Sequence, residues 1–137
     1  MKKKSPKSKS SHNLFLNRDP AEVGIWSENL IQAFVVRELR RDGWNVAGGM
    51  EGAAKSRSVA GMSKATGQAA GEPDLRIYIN GGRLVFIELK LTSGRLSDVQ
   101  TVYHEMLRGL GHMVFVVYAK SPVDGWEQVR DILEGVA

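Results

Sequence analysis

Asp74, Glu88 and Lys90 sit on two β-type runs, 74–79 and 83–91, joined by Asn80-Gly81-Gly82, a short Asn/Gly connection that signals a hairpin. With a three-residue loop, Ile79 opposes Arg83, Ile77 opposes Val85, Leu75 opposes Ile87 and Asp74 opposes Glu88. One face is then aliphatic (Leu75, Ile77, Ile79, Val85, Ile87, Leu89). The other joins two carboxylates, and Lys90, two residues past Glu88, projects to the same side. Like charges directly opposed destabilise a sheet, so this pairing calls for a positive charge between them. Two carboxylates suit a hard cation, Mg²⁺ or Mn²⁺, better than zinc. Such a cation binds a phosphate oxygen and acidifies a water. Lys90 is placed to orient that water or to offset charge at phosphorus. A two-residue loop would put the carboxylates on opposite faces, so the chemistry depends on the register.

The elements that must position this hairpin are legible on either side of it. Asp19-Pro20-Ala21-Glu22 has the form of a helix start, with Asp as N-cap, Pro at the first helical position and Glu three residues after the cap. The run to Arg41 carries Leu30, Ile31, Phe34, Val35 and Leu39 at core spacing. Asp42-Gly43 ends it, and residues 44–47 read as extended. Residues 48–71 are rich in Gly, Ala and Ser, and between 53 and 70 hold Lys55, Arg57 and Lys64 with no acid. A loop of this length suits DNA contact or plain solvation equally. Ser97 starts a second helix with Val99, Val102, Met106 and Leu110 on one stripe, stopped by Gly109 and Gly111. The apolar run 113–119 suits a central strand covered on both faces, and 126–133 a closing helix. The expected fold class is α/β: a mixed β-sheet flanked by helices, in the order α-β-β-β-α-β plus a C-terminal helix.

Composition narrows the function classes. A chain of 137 residues supports one domain, taken as 14–137 after a basic disordered tail at 1–13. That tail holds five of the 19 basic residues and no acid, leaving 14 basic against 15 acidic in the rest. It either neutralises phosphates on a polyanion or merely solubilises. The absence of cysteine excludes disulfides and thiolate zinc sites. No apolar stretch has membrane-spanning length and no secretory signal is visible, so a cytoplasmic setting is expected.

Taken together, Gly71-Glu72-Pro73-Asp74-Leu75, Phe86-Ile87-Glu88-Leu89-Lys90 and Gly94-Arg95-Leu96-Ser97-x-x-Gln100 resemble the PD-(D/E)xK nuclease superfamily. Within it they resemble the virus-type replication-repair nuclease (VRR-NUC) domain, over roughly residues 26 to 119. The resemblance implies a restriction-endonuclease-like core and metal-dependent phosphodiester hydrolysis. It assigns Asp74 and Glu88 as metal ligands, with the Leu89 backbone carbonyl beside them, and Lys90 as the catalytic lysine. Glu28 matches the acid on the first helix, within direct or water-mediated reach of the metal. Gln100 has two readings. Ser97-x-x-Gln100 is a capping box in which Gln serves the Ser97 amide, whereas the family pattern gives it a place on the catalytic face. His104, one turn on, shares that face as a candidate phosphate contact, or is a structural histidine.

The resulting expectation is an Mg²⁺-dependent DNA endonuclease acting on branched DNA in the manner of a Holliday-junction resolvase. Standalone members of the family resemble resolvases working as homodimers, and Ile25, Trp26 and Trp126 offer apolar surface for such a pairing. The alternatives are a flap, duplex or single-strand nuclease on the same core, and a non-catalytic nucleic-acid-binding module. The last leaves carboxylates facing phosphate unexplained.

Overall fold

The computed structural model describes residues 26–49, 65, 67 and 69–137. The tail at 1–13, the expected helix start at Asp19, Ile25 and the loop cations Lys55, Arg57 and Lys64 lie outside the described residues. The elements are α1 (Glu28–Arg41), β1 (Asn45–Gly48), β2 (Leu75–Ile79), β3 (Arg83–Leu91), α2 (Asp98–Gly109), β4 (Met113–Ala119) and α3 (Pro122–Val136). They form a mixed sheet in the order β1-β2-β3-β4, antiparallel as far as β3, with β4 parallel to β3. The crossover that a parallel pair requires is made by α2. The hairpin register is the one the three-residue loop demands, with Leu75 on Ile87, Ile77 on Val85 and Ile79 on Arg83. Gly81 and Gly82 carry the left-handed backbone of that loop, at φ 79° and 70°.

The aliphatic face of the hairpin carries the main core. Leu75, Ile77, Val85, Ile87 and Leu89 are buried there with Ile31, Val35 and Leu39 of α1 and Val129 and Leu133 of α3. The opposite face holds a smaller cluster of Phe86, Leu107 and Val114, flanked by Leu84 and Tyr103. Helices therefore cover both faces of the sheet, as in an α/β restriction-endonuclease-like fold.

Four expectations need correcting. Trp26 and Ser27 are not helical, so no single helix runs from Asp19 to Arg41; Ser27 caps α1, its Oγ accepting the Leu30 N–H at 3.2 Å. Among the described residues β4 is an edge strand, not a central one. It is apolar because α2 and α3 cover its two faces, although only β3 bonds to it. The stripe Val99, Val102, Met106 and Leu110 faces outward, each at least 42% exposed, while α2 turns His104 and Leu107 to the sheet. Trp26 is buried in the core, and Trp126 packs against that core beneath the Arg130 guanidinium, so neither offers a free apolar surface.

Candidate active site

The site begins where β2 gives out. β3 has nine residues and β2 five, and the ladder between them starts at Leu75 opposite Ile87. Two further residues of the register would oppose Leu89 to Pro73, which has no N–H to give. The Leu89 N–H donates instead to Asp74 Oδ2 at 2.8 Å. A strand residue directs its N–H and C=O toward one edge, so the Leu89 carbonyl looks toward Asp74 with no donor from β2. Asp74 is thus both a carboxylate at the site and the terminal acceptor of the β3 edge. Asn, which keeps an acceptor there, isolates its charge better than Ala does.

Gly71 fixes the approach to this corner. Its φ is +86°, and a Cβ built on it would stand 2.6 Å from the Val99 carbonyl oxygen at the start of α2. The turn carrying Pro73 and Asp74 therefore rests directly on helix backbone, where only glycine fits. Gly71→Ala is expected to cost about 2–4 kcal/mol, from backbone strain and overpacking together. Urea unfolding checks this, and a parental midpoint would show that the contact does not constrain the turn.

Glu88 lies on the far side of the sheet from the aliphatic core and is 1% exposed. Its Oε1 accepts the Gln100 Nε2–H at 2.8 Å and lies 3.7 Å from Lys90 Nζ. Lys90 Nζ is in turn 4.0 Å from Glu28 Oε2, in the first turn of α1. Glu28 and Lys90 thus share one mouth with Glu88, Gln100 and Asp74. Burial, and next the Asp74 charge, push the Glu88 carboxyl up to about 8; Lys90 and the Asp74 backbone N–H pull it the other way.

Gln100 performs both of the roles that the sequence set against each other. Its Oε1 accepts the Ser97 N–H at 2.9 Å while Ser97 Oγ accepts the Gln100 N–H at 3.1 Å, a complete capping box. The amide nitrogen is left free by that arrangement to hold Glu88. One side chain fixes the start of α2 and holds one oxygen of the buried carboxylate.

His104 is fully buried, with Nε2 3.7 Å from Glu88 Oε2. This corrects its reading as a phosphate contact, because a ring with no exposed surface does not meet DNA. Burial, with Arg108 and Lys90 nearby, holds its imidazole below the usual histidine range and therefore neutral. Its face of the helix follows from the i, i+4 spacing from Gln100; its depth does not.

The donor set fits a hard cation. Burial first, and the Asp74 charge next, raise Glu88, and the β2 ladder leaves the Leu89 carbonyl open, so the site offers oxygen donors of the kind a hard cation takes. Among the described residues no group of three or more His, Cys, Asp or Glu side chains forms a cage for a metal ion.

A solved structure described as a VRR_NUC domain is similar to this chain, at a TM-score of 0.51 and 24% identity, over 78% of this chain and 94% of that one. No family model and no curated protein matches the sequence. The structural likeness carries the fold: the chain has the α/β architecture of a VRR-NUC domain, as its motifs imply.

Proposed function

We propose that this protein is a metal-dependent DNA endonuclease that cuts branched DNA as a homodimer. The observation that carries the reading is the convergence of Asp74, Glu88, Lys90, Glu28 and Gln100 at the end of β3, with Glu88 buried and gripped. Asp74, Glu88 and the Leu89 carbonyl would hold Mg²⁺ or Mn²⁺, with Glu28 direct or through water. The bound cation supplies Lewis acidity toward a phosphate oxygen and a water of lowered pKa. The chain's own residues do the remainder. Lys90 offers a compact charge to the scissile phosphate and orients the attacking water. Gln100 holds one oxygen of the Glu88 carboxylate, which limits the reorganisation needed as charge develops. Lys55, Arg57, Lys64 and the lysines of residues 1–13 are proposed to meet the DNA backbone through phosphate neutralisation.

For the homodimer, the exposed stripe of Val99, Val102, Met106 and Leu110 is the suitable surface, being a contiguous apolar row on a helix that also carries Gln100. Two sites related by a twofold axis suit symmetric cutting of a four-way junction. No helix among the described residues is long and apolar enough to cross a membrane.

The test is a cleavage panel of four-way, flap, nicked and linear duplex DNA with Mg²⁺, alongside light scattering at working concentration. Paired nicks on opposed strands of the junction by a dimer are expected, with chelation abolishing them. A monomer that trims only flaps would remove the branched-DNA reading. A chain that cuts none of the four would remove the nuclease reading.

A further inference from the structure

Gln100 and His104 are four residues apart on α2, so their side chains lie one above the other on the face turned to β3. Gln100 Nε2 reaches Oε1 of Glu88 at 2.8 Å, and His104 Nε2 faces Oε2 of the same carboxylate at 3.7 Å. Neither His104 Nε2 nor Glu88 Oε2 has a hydrogen-bond partner among the described residues, and both are wholly buried. Two buried polar groups of complementary kind, each left without a partner, make a costly arrangement that less than an ångström of approach would resolve. The ring lies one helical turn from a residue already bonded to this carboxylate. It has no exposed surface from which to meet anything outside the protein.

We propose that His104 is a positioning residue: its Nε2–H donates to Oε2 of Glu88, so that α2 holds both oxygens of that carboxylate from successive turns. This rests on the metal reading above and deepens it. A carboxylate gripped at one oxygen still swings about that bond, whereas one gripped at both presents fixed lone pairs. A carboxylate has about four acceptor positions, so each oxygen keeps one for a cation. Partners of this kind outside the ligand set typically account for roughly 10–100-fold in metal affinity.

Two measurements test it. In the metal-free protein at pH 9, where Glu88 is ionised, imidazole ¹⁵N spectra should show His104 as the neutral Nε2–H tautomer, with its shift altered by Glu88→Gln. An Nδ1–H tautomer would overturn the proposal without any substitution that risks the fold. Mn²⁺ binding, by calorimetry or by loss of the free-ion electron paramagnetic signal, should weaken roughly 10–100-fold in His104→Leu and largely recover in His104→Gln. A purely structural histidine gives lowered melting with unchanged Mn²⁺ affinity in His104→Leu, and that result overturns the inference. A parent that binds no Mn²⁺ overturns the metal reading itself. The two failures are distinguishable, because the inference alone fails when the parent binds and His104→Leu binds equally well.

Discussion

Glu88→Gln is expected to abolish cleavage and, at the same time, to make the metal-free protein more stable in alkali. In the unfolded chain this carboxyl ionises near 4.5; in the folded protein, buried beside Asp74, it does so near 8. Between these values the folded state holds a proton that the unfolded state has lost. The resulting stabilisation is therefore complete below pH 4.5, declines as pH rises, and is gone above pH 8. At pH 9 the metal-free parent must keep an ionised carboxylate in a buried site. The amide removes that charge while keeping an oxygen to accept the Gln100 N–H; its NH₂ group faces His104, whose ring accepts it by taking the Nδ1–H tautomer. A few kcal/mol are at stake, enough to lower the melting temperature of the parent by on the order of 10 °C between pH 6 and pH 9. The variant should show a nearly flat profile over that range. Mg²⁺ should restore the alkaline stability of the parent and leave the variant unmoved, because the ion binds the ionised carboxylate in the folded state and offsets the charge that burial penalises. Parallel melting curves for the two proteins, or cleavage by the variant at parental rate, would remove Glu88 from the metal site.

Lys90→Ala has the next largest expected effect, a fall in turnover of roughly 10²–10⁴-fold with metal binding preserved. The ammonium is buried at the mouth of the site, 3.7 Å from Glu88 and 4.0 Å from Glu28, and has no lone pair with which to ligate a cation. Its removal takes positive charge from beside the incoming metal, so Mn²⁺ affinity should hold or rise at pH 9. Lys90 also lowers the Glu88 pKa. Without it the carboxyl rises further, and the pH at which metal binding half-saturates should move upward. Lys90→Arg should not rescue turnover, because a planar fork cannot occupy the position of a compact ammonium between two carboxylates. Single-turnover rates with saturating DNA and Mg²⁺ decide the matter. An active arginine variant would reduce Lys90 to a general electrostatic contribution.

The register of the hairpin was readable from the sequence because side chains alternate with a period of two, and two glycines in a three-residue loop admit one pairing that puts all six aliphatic residues on one face. The side of α2 that faces the protein was not readable. Val99, Val102, Met106 and Leu110 form the more apolar stripe, and periodicity locates a stripe without saying what covers it. Here the inward face is the mixed one, because a buried carboxylate lies beneath it and needs Gln100 and His104. The edge position of β4 was hidden for a related reason: a strand flanked by helices on both faces is apolar throughout, whether it has one hydrogen-bonded neighbour or two. The dual role of Gln100 was missed because its two readings were weighed as rivals. A primary amide has a carbonyl end and an amino end, and each is used here.

Pro73 gives the corner its last consequence. Whether a main-chain oxygen can serve a metal is usually a question of loop motion, of how often a neighbouring amide lets go of it. At Leu89 the question does not arise on the β2 side, since the residue across the register is an imino acid. The opening is written into covalent structure and does not have to be won from thermal fluctuation. It persists in every conformation that keeps β2 paired with β3. The open acceptor at this corner is specified by a hydrogen that the chain was never given.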